Sequence, residues 1–266
     1  MSEDARMKNS IKYANGFDVA GGKLTGSAIY QFGNASGDTS KGYGLGLQAG
    51  YENDLFGIQV AYDKFEDAIA AGVSGAAPST ALLGIAGDIS ALVYNTEATL
   101  VALKLTPNKE WKFKGGWEWY DRQHATDTLS YGSLWGYNIQ SGDILTKYVA
   151  GQHREYNVLF AGAEYDFAER FAELKGLTLA VGYYDTITGA RQNADGTQSS
   201  GKDGTGTEGT WTAVLDYKLN KRFDVYGAYT HNHFAGAAQL SGGDIITTGT
   251  GATNIDAYGL GVRMKF

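Results

Sequence analysis

Regular alternation of bulky apolar residues with small or polar ones is the feature that most restricts the fold of this chain. Residues 43–51 carry an aromatic or aliphatic side chain at every second position, with Gly and Gln between them. Residues 111–120 oppose three Trp and one Phe to Lys, Gly and Glu. Successive side chains of a β-strand point to opposite faces, so a period of two predicts strands. Eleven segments are expected to be strands: 10–13, 23–32, 43–51, 56–63, 99–105, 111–120, 159–167, 177–184, 211–219, 223–230 and 258–266.

The links between these segments alternate between short and long. Short links are expected at 15–22, 52–55, 107–110, 168–176 and 220–222. Long polar links, rich in Gly, are expected at 33–42, 66–93, 124–155, 186–209 and 233–253. One end of the sheet therefore has tight turns, and the other end has large loops.

Composition excludes several classes of protein. The chain has no Cys, which rules out disulfides and thiolate chemistry. Its net charge of −7 leaves nothing to neutralise phosphates, so nucleic acid is not an expected partner. Residues 68–87 are uncharged and long enough for a spanning helix, but they are mostly Ala, Gly, Ser and Thr around Pro78, and we predict a loop. Residues 1–6 lack the apolar stretch of an export signal, so none is expected in this chain.

The polar side of the alternating segments decides the kind of sheet. It consists of Gly, Ser, Thr, Gln and charged residues, which cannot form a dry core, whereas the other side carries aromatic residues near strand ends. This arrangement is typical of a transmembrane barrel with a lipid-facing band and a wet interior. Closure is expected because lipid offers no partner to an unpaired strand edge. We predict an all-β fold, an antiparallel transmembrane β-barrel of ten or eleven strands in one domain, residues 1–266; a large soluble β-sheet protein is the alternative.

Four segments resemble a known family: residues 9–13 (NSIKY), 30–34 (YQFGN), 219–226 (LNKRFDVY) and 258–266 (YGLGVRMKF). The chain resembles the C-terminal two-thirds of a Gram-negative general porin of the betaproteobacterial trimeric type. The resemblance implies an outer-membrane diffusion channel for ions and small hydrophilic solutes, with short periplasmic turns, long extracellular loops, a homotrimeric assembly, no enzymatic activity and no cofactor.

The family resembled has sixteen strands, and the match begins near the sixth. Eleven strands cannot close with every neighbour antiparallel, because an odd count makes the first and last strands parallel. Three interpretations remain open: a fragment of a larger barrel, a reduced barrel that uses ten strands, or an odd-numbered barrel.

The charged residues of the polar side are the candidate pore lining. If Phe266 lies at the periplasmic side, eight cations face the periplasmic half of the lumen: Lys12, Lys23, Lys104, Lys112, Lys114, Lys218, Arg263 and Lys265. Four anions oppose them, Glu164, Asp166, Asp216 and Asp224, and Glu118 lines the lumen further along. Charges along a conduit bias permeation, so this excess predicts a preference for small anions. The alternative is a set of wall salt bridges with solvated charges near the turns.

The chain ends in alternating apolar residues and a terminal aromatic: Tyr258, Leu260, Val262, Met264 and Phe266. This pattern resembles the signal read by the outer-membrane assembly machinery. Phe266 could also be merely an aromatic residue at the membrane interface, and the two roles are compatible. The expected partners are thus the lipid bilayer, that machinery, and small solutes and ions.

Two other functional classes remain as alternatives. One is a non-conducting barrel whose loops act as an adhesin or receptor surface. The other is an outer-membrane enzyme, for which His231 could combine with Asp185 or Asp256. His231 and His233 form an i, i+2 pair without a clear third ligand, so no metal site is predicted from them.

Overall fold

The computed structural model describes residues 9–33, 42–74, 88–124, 145–150, 153–192, 197–198, 200, 204–238 and 253–264. These residues form an all-β structure with two short 3₁₀ turns. The strands are β1 (Ser10–Val19), β2 (Gly22–Gln31), β3 (Gly44–Glu52), β4 (Phe56–Ser74), β5 (Asp88–Leu105), β6 (Trp111–His124), β7 (Leu145–Ala150), β8 (Arg154–Asp166), β9 (Leu177–Thr188), β10 (Gly206–Lys218), β11 (Phe223–Gly236) and β12 (Asn254–Met264).

Eleven of these strands form an antiparallel meander in the order β1-β2-β3-β4-β5-β6-β8-β9-β10-β11-β12. The short strand β7 lies off this path and pairs in parallel with β5 over residues 89–93, just beyond the point where β6 ends. Within the described residues, β1 pairs only with β2 and β12 only with β11, so the sheet has two free edges and closure is not detected. Among the described residues, no helix is long and apolar enough to cross a membrane.

Three of the short turns use the same asparagine motif. The Oδ1 atom of Asn53 accepts hydrogen bonds from the backbone N–H groups of Leu55 and Phe56, at 3.0 and 2.8 Å. Asn108 and Asn220 accept the corresponding pairs of bonds before Trp111 and Phe223. A side chain that satisfies two turn amides favours a compact reversal, and each turn is followed at once by an aromatic residue that begins the next strand.

The two faces of the sheet invert the pattern of a soluble β protein. The face that carries the Leu, Val, Trp and Tyr rows, here called the apolar face, is the more exposed one; Leu103 of β5, for example, is 54% exposed. The opposite face, here called the polar face, holds the charged residues. Among the residues whose burial is described, which exclude 67–94, 124 and 145–150, Phe234 and Ala237 are the only buried apolar ones, whereas Asp121, Arg154 and Asp224 are buried although they are charged. The described sheet therefore has no dry apolar core.

Aromatic rings cluster on the apolar face at both ends of the strands. At the turn end, Trp111 lies 4.7 Å from Tyr165 between ring centroids. At the loop end, Tyr30 lies 5.9 Å from Tyr43. Trp111 and Trp119 of β6 are eight residues apart, or about 27 Å along an extended strand. That length is comparable with the apolar band of about 25 Å between the aromatic girdles of outer-membrane barrels.

The strands are longer than the sequence pattern predicts at several places. β1 continues to Val19 instead of ending at Tyr13, so the link to β2 consists only of Ala20 and Gly21, both at positive φ (50° and 74°). A two-residue turn with two positive φ angles matches the twist of a hairpin, which allows the strand to run through Asn15 and Gly16. β4 extends to Ser74 into the segment predicted as a loop, residues 68–87, and residues 75–87 lie outside the described part. β7 lies within the predicted loop 124–155.

Candidate pore-lining face

The cross-strand register places the predicted lining residues together on the polar face. Register partners on neighbouring strands point to the same face of the sheet. Lys23 lies opposite Glu52, for example, and Lys112 lies opposite Glu164. Twelve predicted positions share the polar face: Lys12, Lys23, Lys104, Lys112, Lys114, Glu118, Glu164, Asp166, Asp216, Lys218, Asp224 and Arg263. Lys265 lies outside the described residues.

Lys12 is on this face but not at the predicted end. It was expected in the half near the short turns. Its register partner in β2 is Ile29, two residues before the strand ends at Gln31 and the long link begins. Because β1 extends to Val19, Lys12 lies at the loop end of the sheet.

Arg263 organises the most buried charge cluster of the polar face. Its Nε and Nη2 atoms donate to Oδ2 of Asp224 at 3.0 and 2.6 Å, and Nη2 also donates to Oδ2 of Asp216 at 3.0 Å. Asp224 is only 2% exposed. A guanidinium can hold two carboxylates at once because its donors form a rigid fork. This cluster ties β12 to β11 and β10.

Two lysines of the predicted lining also form ion pairs. Lys112 Nζ lies 2.9 Å from Oε1 of Glu164, and Lys104 contacts Glu52. Both members of the Lys112 pair remain more than one-third exposed, so water and salt screen the interaction. Within the described part of the chain, Lys23, Lys114 and Lys218 are in no ion pair.

The turn-side half of the polar face does not have the predicted excess of positive charge. Asp18 was expected in a link and Glu52 in a turn, but both belong to strands and point to this face. The described cations of this half are Lys23, Lys104, Lys112, Lys114, Lys218 and Arg263, and the anions are Asp18, Glu52, Glu164, Asp166, Asp216 and Asp224. The two signs balance, so these residues give no support for an anion preference.

Three glycines of the polar face lie against aromatic rings of a neighbouring strand. A Cβ atom at Gly116 would lie 2.6 Å from Cζ of Phe160, and one at Gly44 would lie 2.8 Å from Cε1 of Phe65. Gly261 similarly lies under the ring of Tyr226. Rings that cover glycines on a neighbouring strand restore the packing that a missing side chain would lose. These three glycines therefore allow close packing between neighbouring strands.

The apolar residues of β12 have very little cover. Tyr258, Leu260, Val262 and Met264 share the apolar face and are 80, 93, 68 and 45% exposed, because β12 is an edge strand. Phe266 lies outside the described residues.

The histidine proposed for an enzymatic site lies on the apolar face near the loop end. His231 Nδ1 is 2.8 Å from Oδ1 of Asp256, which also accepts a bond from the hydroxyl of Tyr229 at 2.7 Å. Asp185, the other acid considered for this site, is paired in register with Gly209 and Leu159 instead.

Comparisons with known proteins establish the fold but not the family. No family model matches the sequence, and no curated protein does either. The chain is similar to OmpT, an outer membrane protein of Vibrio cholerae, in two solved forms. The mutant lacking loop L8 gives a TM-score of 0.59 at 11% identity, over 99% of this chain and 64% of that one. The in-vitro folded form gives 0.59 at 11% identity, over 96% and 63%.

The likeness to OmpT identifies an eleven-strand antiparallel sheet of the type found in outer-membrane β-barrels. This chain spans slightly less than two-thirds of the length of OmpT. The ferric yersiniabactin uptake receptor FyuA of Yersinia pestis also matches, at 12% identity over 96% of this chain and 40% of that one, but its TM-score of 0.35 carries no argument.

Proposed function

We propose that this chain forms the wall of an outer-membrane channel through which ions and small hydrophilic solutes diffuse passively. The observation that supports this most strongly is the inversion of the two faces: rows of Leu, Val and Trp are exposed, while charged residues share the opposite face. Exposed apolar side chains at this density are stable in contact with hydrocarbon, and a face of paired charges needs water.

The proposed channel has weak ion preference rather than a strong anion preference. The charges of its described residues balance at the turn end, and Lys104, Lys112 and Arg263 each contact a carboxylate. Paired charges of opposite sign largely cancel the field that a permeating ion experiences at a distance, particularly in salt. Lysines that form no ion pair with any described residue, such as Lys114 and Lys218, are then the residues with the greatest influence on selectivity.

A closed conduit requires cover for the edges of β1 and β12. Edge amides and carbonyls facing hydrocarbon would each lack a partner, which costs several kcal/mol per group. We propose that these edges are paired in the membrane. Lipid contacts the apolar face, the β12 row from Tyr258 to Met264 serves the assembly machinery, and three copies associate, as the porin resemblance implies.

Conductance across a planar bilayer tests the proposed function. The purified chain, refolded in detergent and added to one side, is expected to produce stepwise single-channel currents, and the heat-denatured chain serves as the control. A folded protein that inserts and remains electrically silent would contradict the channel and would favour an adhesin, receptor or enzyme.

A further inference from the structure

A row of three carboxylates crosses neighbouring strands at the loop end of the apolar face. Asp121 of β6 lies directly opposite Glu97 of β5 on one side and Glu155 of β8 on the other. Like charges that face each other across a strand pair destabilise the sheet. Glu97 accepts a hydrogen bond from the hydroxyl of Tyr62 at 2.9 Å, which leaves the Asp121–Glu155 pair to be offset by another group.

Asp121 is the buried member of this row. Its side chain is 4% exposed, and its Oδ2 atom accepts a hydrogen bond from Gln123 at 2.7 Å. The Oδ1 atom lies 2.8 Å from Nε2 of His153, with which it forms an ion pair when the imidazole is protonated, and it accepts no hydrogen bond from any other residue in the described part of the chain. A buried carboxylate oxygen without a hydrogen bond is costly unless a proton or a cation compensates it.

The other nitrogen of His153 is already engaged. Nδ1 lies 2.9 Å from Oε1 of Gln192, and the backbone of Gln192 also bonds to the carbonyl of His153. When Nδ1–H donates to this amide oxygen, the lone pair of Nε2 points toward the carboxylate. A histidine whose outer nitrogen is held by an amide or carboxylate has the arrangement common to metal ligands.

We propose that Asp121, His153 and Glu155 form a binding site for a divalent transition metal of the Zn²⁺ class at the loop end of the sheet. The three ligand atoms lie within 4.8 Å of one another. His153 Nε2 is 2.8 Å from Asp121 Oδ1 and 4.0 Å from Glu155 Oε1. In a tetrahedral site with metal–ligand bonds of about 2.1 Å, two ligand atoms are about 3.4 Å apart. The distances from His153 Nε2 to the two carboxylates are one shorter and one longer than this value.

The ligand set favours this class of metal over alkaline-earth ions. One imidazole nitrogen with two carboxylate oxygens suits Zn²⁺, whereas Ca²⁺ and Mg²⁺ prefer oxygen ligands throughout. Arg154 fixes the surroundings of the site: it is buried, and its Nε and Nη2 atoms donate to the carbonyls of Gly189 and Gly204 at 3.0 and 3.2 Å. Both ends of the link between β9 and β10, which carries Gln192, are thereby held against the start of β8.

A second histidine–aspartate pair provides a matched control within the same chain. His231 and Asp256 are also 2.8 Å apart at the loop end of the apolar face. Asp256 is half exposed, and the hydroxyl of Tyr229 completes its hydrogen bonding. Among the described residues, the group of Asp121, His153 and Glu155 alone brings three such ligands together.

Calorimetric titration of the chain with ZnCl₂ tests the proposal. The protein is stripped with EDTA in detergent, dialysed to pH 7.5 and titrated, and we expect one equivalent of zinc to bind. His153→Ala and Asp121→Asn should each weaken binding at least tenfold, whereas His231→Ala should leave it unchanged. Absence of binding to the unmodified chain, or loss of binding in His231→Ala with retention in His153→Ala, would overturn the site.

A second measurement uses the unmodified protein and does not depend on the folding of variants. X-ray absorption of the zinc-loaded chain should show one imidazole and otherwise oxygen ligands around the metal. Two imidazoles would assign the zinc to His231 and His233 and would overturn the proposal. The readout is independent of conductance, so a silent barrel could still bind zinc and a conducting one could fail to do so.

Discussion

The two faces of the sheet differ in which side chains they leave exposed: apolar side chains are exposed on one face, and a charged side chain is buried on the other. On the apolar face, Leu103 is 54% exposed and Leu260 is 93% exposed. On the polar face, Asp224 is 2% exposed and lies against the guanidinium of Arg263. In a soluble protein the leucines would be buried and the carboxylate would be solvated. The difference is the one expected of the proposed membrane channel, in which hydrocarbon surrounds one side of the sheet and the charges of the other side neutralise each other.

The strongest contrast between the faces is expected from a single arginine placed on each. Leu103 lies opposite Gly115, midway between Trp111 and Trp119 on the apolar face. Leu103→Arg should destabilise the protein in lipid vesicles by about 2–4 kcal/mol, because the charge would sit near the bilayer midplane. The matched change Gln59→Arg lies at the same level on the polar face and should cost little. Urea unfolding in vesicles measures both, and equal losses would contradict the assignment of faces.

Within the polar face, the next effect concerns the buried charge. Arg263→Gln removes the partner of Asp224 and should lower the unfolding midpoint clearly, since a buried carboxylate that loses its counter-charge is unfavourable. Arg263→Lys should recover only part of the loss, because an ammonium cannot reproduce the fork. Lys112→Gln, in the exposed pair with Glu164, should change stability by about 0–1 kcal/mol. Similar midpoints for Arg263→Gln and Lys112→Gln would contradict this ranking.

A smaller effect is expected on ion selectivity. Replacing Lys112 and Lys114 together with Glu adds negative charge to the polar face and should shift the reversal potential in a salt gradient toward cation preference. The matched pair Phe113→Tyr and Trp117→Phe on the apolar face should leave the reversal potential unchanged. An unchanged potential in the double Glu variant would show that these lysines do not face the conduit.

The smallest effect is a pH dependence at the loop end, outside the apolar band. Burial lowers the pKa of His153, but the hydrogen bond to Gln192 and the charge of Asp121 outweigh it, so the pKa is raised above its ordinary value. The stabilisation is complete below about pH 6.5 and is lost as the pH rises through the raised value. In EDTA, the midpoint of the wild type should therefore fall relative to His153→Gln between pH 6 and 8. A constant difference would contradict the linkage.

The sequence predicts the strands and their faces well because the period-two pattern is local. Alternation alone assigns the strands that contain Trp111 and Tyr258. Three of the short turns are closed by hydrogen bonds to Asn53, Asn108 and Asn220, which lie within the turns themselves. The positions that sequence reasoning missed depend on pairing with another strand. β1 runs through Asn15 and Gly16 because β2 offers it a full ladder.

Long-range pairing also explains why sequence reasoning missed the balance of charges on the polar face and the group of Asp121, His153 and Glu155. Glu52 meets Lys104 across a separation of 52 residues, and Asp121 meets His153 across the link that contains β7. Neither contact has a signature in local spacing. Asp18 was misassigned with its strand. The predicted excess of cations came from leaving out Asp18 and Glu52 and from placing Lys12 at the turn end, and Lys265 lies outside the described residues.

The absence of Cys makes a single-cysteine scan of β5 a clean probe of the two faces. Cysteines at residues 100–105, one at a time, would carry a fluorophore in vesicles of brominated lipid, and the unlabelled variants would be treated with a membrane-impermeant maleimide. The inverted sheet predicts lipid quenching at 101, 103 and 105, and maleimide reaction at 100, 102 and 104. The reverse parity, or no alternation at all, would contradict a lipid-facing apolar row and a water-facing charged one.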